Sequence, residues 1–338
     1  MIKSNIKYHE AQIKKKFHRA LVTGGAGFIG SHLCERLAQL GLSVYSLDDF
    51  STGKCENIIP LTKKYKKIKS IICDITDFKK TEKYFKKYRF DIVFHQAASK
   101  KTICLKDPKR DLEVNGKGTL GLLQLAHKYK IKKFVHASTG SVYGEPKFKP
   151  QTEEHPLNPT SYYGVSKLAG EKYVALFNKL YDMDTTILRY FHVYGPRQEF
   201  SPYGGVVAIF IRNIIKDQNP TIFGTGRQER SFTFVDDVID ANILAATIPN
   251  TKGEVYNCAS GIKVTVKELL SSVINLFGEN RKIKIKYGPW VQGDIKVFDV
   301  DNRKIKKIGI KFTTDFKPGL VATYESMKKS LAHQNDKK

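Results

Sequence analysis

Ala20-Leu-Val-Thr-Gly-Gly-Ala-Gly-Phe-Ile-Gly30 is the stretch on which the fold turns. A short apolar run leads into Gly24-x-x-Gly27-x-x-Gly30, and a helical pattern begins at Phe28. That pattern runs to about Leu40, sets Leu33, Leu37 and Leu40 on one face, and stops at Gly41, a favourable C-terminal residue. The three glycines have separate tasks: a tight turn, close approach of backbone to a pyrophosphate, and close helix–strand packing. The unpaired N–H groups of Phe28, Ile29 and Gly30 and the positive end of the helix dipole suit phosphates. A second strand, Ser43 to Leu47, then ends at Asp48. An acidic group there accepts from ribose hydroxyls and repels a 2′-phosphate, which points to NAD rather than NADP. Asp49 is a neighbouring candidate.

The alternation continues outward from this unit. Ile68–Cys73, Asp91–His95, Lys133–Ala137 and Thr185–Tyr190 read as strands, and Val114–Tyr129 and Ser161–Leu180 as helices. Such alternation predicts an α/β fold with a doubly wound parallel sheet of the Rossmann kind. Residues 18–190 form the dinucleotide-binding domain in this reading, and 231–258 return to it. Residues 191–338 are mainly a smaller α/β substrate-binding cap. Residues 1–17 form a basic N-terminal extension, expected to be mobile.

Tyr163 and Lys167 lie four apart and so share a helix face. A cation beside a phenol favours the phenolate, which can take a proton from a hydroxyl. Tyr162 competes, but only Tyr163 has the spacing to Lys167. Thr139 falls at a strand end, where a structural hydroxyl is also adequate. Asp74, with Ile75 after it, ends the third strand as either a helix cap or an adenine contact. His95-Gln-Ala-Ala-Ser-Lys100 follows the fourth strand, at the edge where ligands collect. Small Ala97 admits a ribose or nicotinamide, and Lys100 is expected to touch the ligand.

The net charge of +25 comes from dispersed lysines, without arginine clusters interleaved with aromatics. It reads as solvated helix faces, not a nucleic-acid surface, though it would draw in an anionic substrate. No apolar stretch approaches the roughly 20 residues of a membrane span, so neither a membrane nor a nucleic acid is an expected partner. No metal-ligand spacing occurs. The five scattered cysteines fit a reducing, cytoplasmic setting.

Taken together, the glycine motif, Ser138-Thr139, Tyr163-x-x-x-Lys167 and Leu188-Arg-Tyr-Phe-His-Val-Tyr-Gly-Pro-Arg197 resemble the extended short-chain dehydrogenase/reductase family. Within it the chain is most similar to the NAD-dependent nucleotide-sugar epimerases of the UDP-glucose 4-epimerase type. The resemblance implies NAD held through the cycle and Tyr163 acting on the sugar 4-hydroxyl. It also implies Thr139 relaying the proton, Lys167 on the nicotinamide ribose lowering the tyrosine pKa, and Ser138 at the carboxamide. UDP-sugar contacts are implied for Lys100, Thr139, Tyr163, His192, Val206, Arg230 and Asp294. A homodimer through a four-helix contact is implied as well.

Sister enzymes with the same scaffold place acidic residues one or two positions after the threonine, for dehydration or decarboxylation. Here those positions are Gly140 and Ser141, which favours epimerisation. The chain also departs from the epimerase pattern. His192 replaces an asparagine, Ser231 is reminiscent of the decarboxylases, and Val291 stands where the family has a second arginine. Lys296 or Arg227 is a candidate substitute. Phe298, at a position that limits the C2 substituent, leans towards hexose. A UDP-glucuronate decarboxylase, a nucleotide-sugar dehydratase and a non-catalytic dinucleotide sensor are the alternatives.

Overall fold

The computed structural model describes residues 6–99, 104–199, 204–278, 281–291 and 293–335. Its main sheet is built from β1 (Arg19–Thr23), β2 (Ser43–Asp48), β3 (Ile68–Ile72), β4 (Ile92–His95), β5 (Lys133–Thr139) and β6 (Thr185–Tyr190), with a later strand added at one edge. Each of these strands is nearly buried throughout except β3, which has a solvated side. That burial is expected of a parallel sheet covered on both faces.

The chain crosses at Tyr190. β7 (Val193–Tyr194), β8 (Thr221–Phe223) and β9 (Glu229–Phe234) follow, and β10 (Glu254–Cys258) returns to the main sheet beside β6. β11 (Ile262–Thr265) and β12 (Lys286–Gly288) complete the strands. The seven-stranded parallel sheet therefore has the order β3-β2-β1-β4-β5-β6-β10. A three-stranded sheet, β11-β9-β7, and the pair β12-β8 lie outside it. Thus within 231–258 the helix Val235–Thr247 packs on the main core and β10 joins the main sheet, whereas β9 belongs to the small sheet. Strand order reverses between β1 and β4, and the carboxyl ends there open a crevice, the usual ligand position in such sheets.

The doubly wound sheet expected from the sequence is present. The start of the chain differs from expectation. Ile6–Lys16 is a helix, not a mobile tail. Ile6, Ile13 and Phe17 fall on one face, and the last two are buried in the core beside the sheet. Lys16 Nζ donates to the Thr247 carbonyl at 2.6 Å, and Glu10 pairs with Arg36 at 2.7 Å. Lysines fill the solvent side of this helix and dominate its composition, which conceals the apolar stripe. The Val114–Tyr129 helix also differs: Glu113–Gly118 winds as a π-helix before regular helix resumes at Thr119. Wide turns of this kind cluster at functional sites.

Because Ile13 is fully enclosed, Ile13→Ala is expected to destabilise the protein by about 2–4 kcal/mol. Urea denaturation at neutral pH reads this. A loss under about 0.5 kcal/mol, the range of surface substitutions, would show the helix to be peripheral.

Candidate active site

The glycine turn closes against strand ends with no room for side chains. Gly24 has φ +67°, and a Cβ on it would lie 2.7 Å from the Ala97 backbone nitrogen. A Cβ on Gly30 would lie 2.1 Å from the Gly24 carbonyl oxygen. The helix Phe28–Gln39 starts from Gly27 with no side-chain cap and no acidic residue in its first turn. Its first N–H groups are therefore available to an anionic ligand. Asp48, at the end of β2, is held by Ala26 N–H and Phe50 N–H, both at 2.9 Å. Burial raises its pKa, and those two donors oppose the rise.

These groups wall a cavity of about 620 Å³, lined by Gly24, Gly27 to Gly30 through Phe28 and Ile29, Asp48, Asp74, Ile75, Ala97, Tyr163 and His192. Uncapped helix N–H groups, tight glycines and a carboxylate at the end of β2 together fit a dinucleotide. Asp74 is not the helix cap. Asp77 caps the next helix by accepting from Lys80 N–H, while Asp74 lines the cavity. Lys100 lies outside the described residues.

The long helix Tyr162–Tyr181 brings Tyr163 to this cavity, with Lys167 buried behind it. Ser161 caps it by accepting from Gly164 N–H at 3.2 Å. Tyr162 points to solvent and Tyr163 into the cavity, which separates the two candidates. Thr139, at the end of β5, donates to Ser141 Oγ at 3.3 Å, and its hydroxyl lies near enough to the Tyr163 phenol to favour the phenolate.

The phenol and the lysine are not coupled as helix spacing suggests. Burial pushes the Tyr163 phenol up to about 12, Asp111 adds to the rise, and the Thr139 hydroxyl opposes it. Lys167 Nζ instead donates to the Ala137 carbonyl at 2.6 Å. Burial lowers the lysine to about 8, against the pull of Glu171 and Asp111. A shared helix face sets direction only, and the nearest acceptor takes the ammonium. The phenol is thus protonated in the ligand-free protein.

Ser138 differs as well. Side chains alternate along a strand, so Ser138 faces away from Thr139. It donates to Glu171 Oε2 at 2.7 Å, in a buried group with Arg189 and Tyr143. Of the other sequence candidates, His192 lines the cavity with its ring edge-on to Phe298. Val206 opens the helix Val206–Ile215. Arg230 is buried and held by Asp294 at 2.7 Å and the Ile295 carbonyl at 2.8 Å.

Several polar residues near the cavity were not given a role from the sequence, among them Ser51, Thr52 and, within the His95–Lys100 stretch, Ser99. Arg110 lines the cavity as well. Asn115, on the π-helix, donates to Ser166 Oγ at 2.9 Å and accepts from Ser99 N–H at 2.9 Å. Their role comes from loops meeting in space, and only the unusual Asn-Gly-Lys-Gly in a helical stretch hinted at it.

The site and fold define a dinucleotide-dependent enzyme of the doubly wound class. The chain belongs to the NAD dependent epimerase/dehydratase family, whose pattern it matches over residues 20–259. It is 39% identical over 311 residues to a putative UDP-glucose 4-epimerase of Methanocaldococcus jannaschii, covering 91% of this chain and 98% of that one. The solved UDP-glucose 4-epimerase of Thermotoga maritima with UDP-glucose superposes with a TM-score of 0.87 at 36% identity, covering 93% of this chain and 99% of that one. That of Thermus thermophilus in complex with NAD gives a TM-score of 0.84 at 34% identity, covering 92% and 99%.

A titration of the cofactor-free protein tests the electrostatics. The difference in phenolate absorbance between wild type and Tyr163→Phe is expected to stay flat until about pH 10 and to rise above it, given a phenol at about 12. A midpoint below about 8 would show that Lys167 alone suffices to ionise the phenol.

Proposed function

We propose that this chain is a nucleotide-sugar 4-epimerase that interconverts UDP-glucose and UDP-galactose with NAD bound throughout. One observation carries the choice over the sister reactions. A Cβ on Gly140 would lie 2.3 Å from Phe191 Cε1, and Phe191 is only 1% exposed. The position beside Thr139 therefore has no space for the acidic group that elimination needs. Ser141, next along, offers a hydroxyl and no carboxylate. What remains at the sugar is one acid–base centre, which is sufficient for moving a proton off and onto a single hydroxyl.

Bound NAD supplies reversible hydride acceptance from sugar C4, which leaves a transient 4-keto sugar, and a cationic ring that favours the phenolate. Gly24, Gly27, Phe28, Ile29 and Gly30 hold its pyrophosphate, Asp48 its ribose, and Asp74, Ile75 and Ala97 the walls around it. Tyr163 removes and returns the proton at the 4-hydroxyl. Thr139 orients that phenol and passes the proton along its own hydroxyl. Lys167 anchors the helix at β5 and, through its charge, the nicotinamide ribose.

Residues 18–190, with the returning helix and β10, carry the cofactor. The cap, mainly 191–338, carries the UDP-sugar through His192, Val206, Arg230 and Asp294. In this role Asp294 keeps the Arg230 guanidinium in place for the diphosphate. Phe298 packs against His192 and Arg230, with ring distances of 4.8 Å and 5.7 Å, and supports a hexose without a large C2 substituent.

The active form in this reading is a homodimer through the Tyr162–Tyr181 helix. Tyr162, Val165, Tyr173, Leu176 and Leu180 are exposed on it at helical spacing, an apolar stripe that a copy of the same helix would cover. No described helix is long and apolar enough to cross a membrane. The five free thiols, four of them buried, support a reducing cytoplasmic setting.

Tyr163→Phe is expected to lower turnover of UDP-glucose by about 10²–10⁴-fold while NAD remains bound. Product NMR and a cofactor assay on the same sample read the two effects. Unchanged turnover would remove the phenol from the chemistry and leave a dinucleotide sensor. For the dimer, the double variant Leu176→Glu/Leu180→Glu is expected to sediment as a monomer. Wild type sedimenting as a monomer would exclude the helix contact.

A further inference from the structure

Arg110 and Asp111 are neighbours on the short helix Pro108–Leu112, and they face opposite ways. Asp111 is fully buried, with its Oδ1 accepting from Asn115 Nδ2 at 3.1 Å. Asn115 in turn donates to Ser166 on the long helix. This inward side fixes the short helix to the body of the protein. Arg110 turns outward and lines the dinucleotide cavity, one-third exposed.

The Arg110 guanidinium reaches across to the ends of β2 and β3. Nη2 lies 2.5 Å from Asp74 Oδ2 and 3.5 Å from Asp49 Oδ2, and Nη1 donates to Thr76 Oγ1 at 3.2 Å. At the start of the following π-helix, Glu113 Oε2 stands 3.8 Å from Nη1. Burial would raise the Asp74 carboxyl, but the Thr76 N–H and hydroxyl, with Arg110, hold it below the usual carboxylate range. Asp74 stays anionic, and the cross-cavity pair persists.

These acceptors mark the adenosine end. Asp48, one residue before Asp49, sits where the ribose hydroxyls bind, and β3 lies beyond β2 on that side of the sheet. An arginine that reads a 2′-phosphate must have its fork free. Here two carboxylates and a hydroxyl occupy it. A planar guanidinium held at that rim is suited to cover an aromatic base face instead.

We propose that Arg110 is a latch over the adenosine end of bound NAD, a retention residue that links the two sides of the cavity and slows the cofactor's departure between turnovers. The helix beneath it is pinned, so opening needs only the side chain to leave Asp74, Asp49 and Thr76. The latch rests on the reading of this cavity as the NAD site.

The test compares wild type with Arg110→Met, both purified with their cofactor. Bound NAD per chain is measured after repeated desalting, along with its rate of release into excess competing nucleotide. Arg110→Met is expected to release NAD about 10–100-fold faster, as loss of a charged hydrogen-bonding group implies. Its lost turnover is expected to return when free NAD is added. Release at the wild-type rate, or turnover that stays low at any NAD concentration, would overturn the latch. If Arg110→Met fails to fold, Arg110→Lys is read in its place. It keeps the charge but not the fork, and it too must release NAD faster. Wild type that carries no NAD and takes none up would overturn the cavity reading itself, and the latch with it.

Discussion

The hydrogen bond from the Lys167 ammonium to the Ala137 carbonyl is what the site depends on. At 2.6 Å and out of solvent, it joins the long helix to strand β5 near its carboxyl end. Tyr163, one turn earlier on the helix, is thereby carried over the cavity, and Thr139, two residues further along β5, meets its phenol. Burying that ammonium has a cost, visible in its lowered pKa of about 8. Glu171 and Asp111 lie on either side and offset part of it. Glu171 is itself held by Arg189 and Ser138, so the support extends across β5 and β6.

This arrangement gives the cofactor an electrostatic role as well as a redox one. Burial holds the Tyr163 phenol at about 12, and the lysine is engaged with the Ala137 carbonyl. A cationic nicotinamide ring held in the cavity that Tyr163 lines would favour the phenolate, since positive charge near a phenol favours its ionised form. Base strength is then linked to cofactor occupancy.

Parts of this were legible before any coordinates. The three glycines could be read because no other residue fits where Gly24 meets Ala97 and Gly30 meets Gly24. Tyr163 was separable from Tyr162 by its spacing to Lys167. What misled was distance and direction. Spacing placed the lysine on the right face but not at its acceptor, and it left Ser138 on the wrong side of β5. The N-terminal helix was hidden because its Ile6–Ile13–Phe17 stripe is diluted by lysines that need only solvent. Arg110 could not be found at all, because Asp49 and Asp74 become its partners only when the short helix Pro108–Leu112 meets the ends of β2 and β3. Gly140 was correctly singled out as lacking a carboxylate, yet the reason it must stay small is Phe191, which only packing reveals.

The return of one hydride to the carbon it left is the central claim, and a labelled substrate tests it most directly. UDP-glucose carrying deuterium at C4 is incubated with the purified protein, and the products are resolved by NMR and mass spectrometry. A C4 epimer that keeps the deuterium at C4 is the expected result. Deuterium found at C6 of a dehydrated sugar, a pentose product with loss of carbon dioxide from an acidic substrate alone, or no change in the glucose would contradict it.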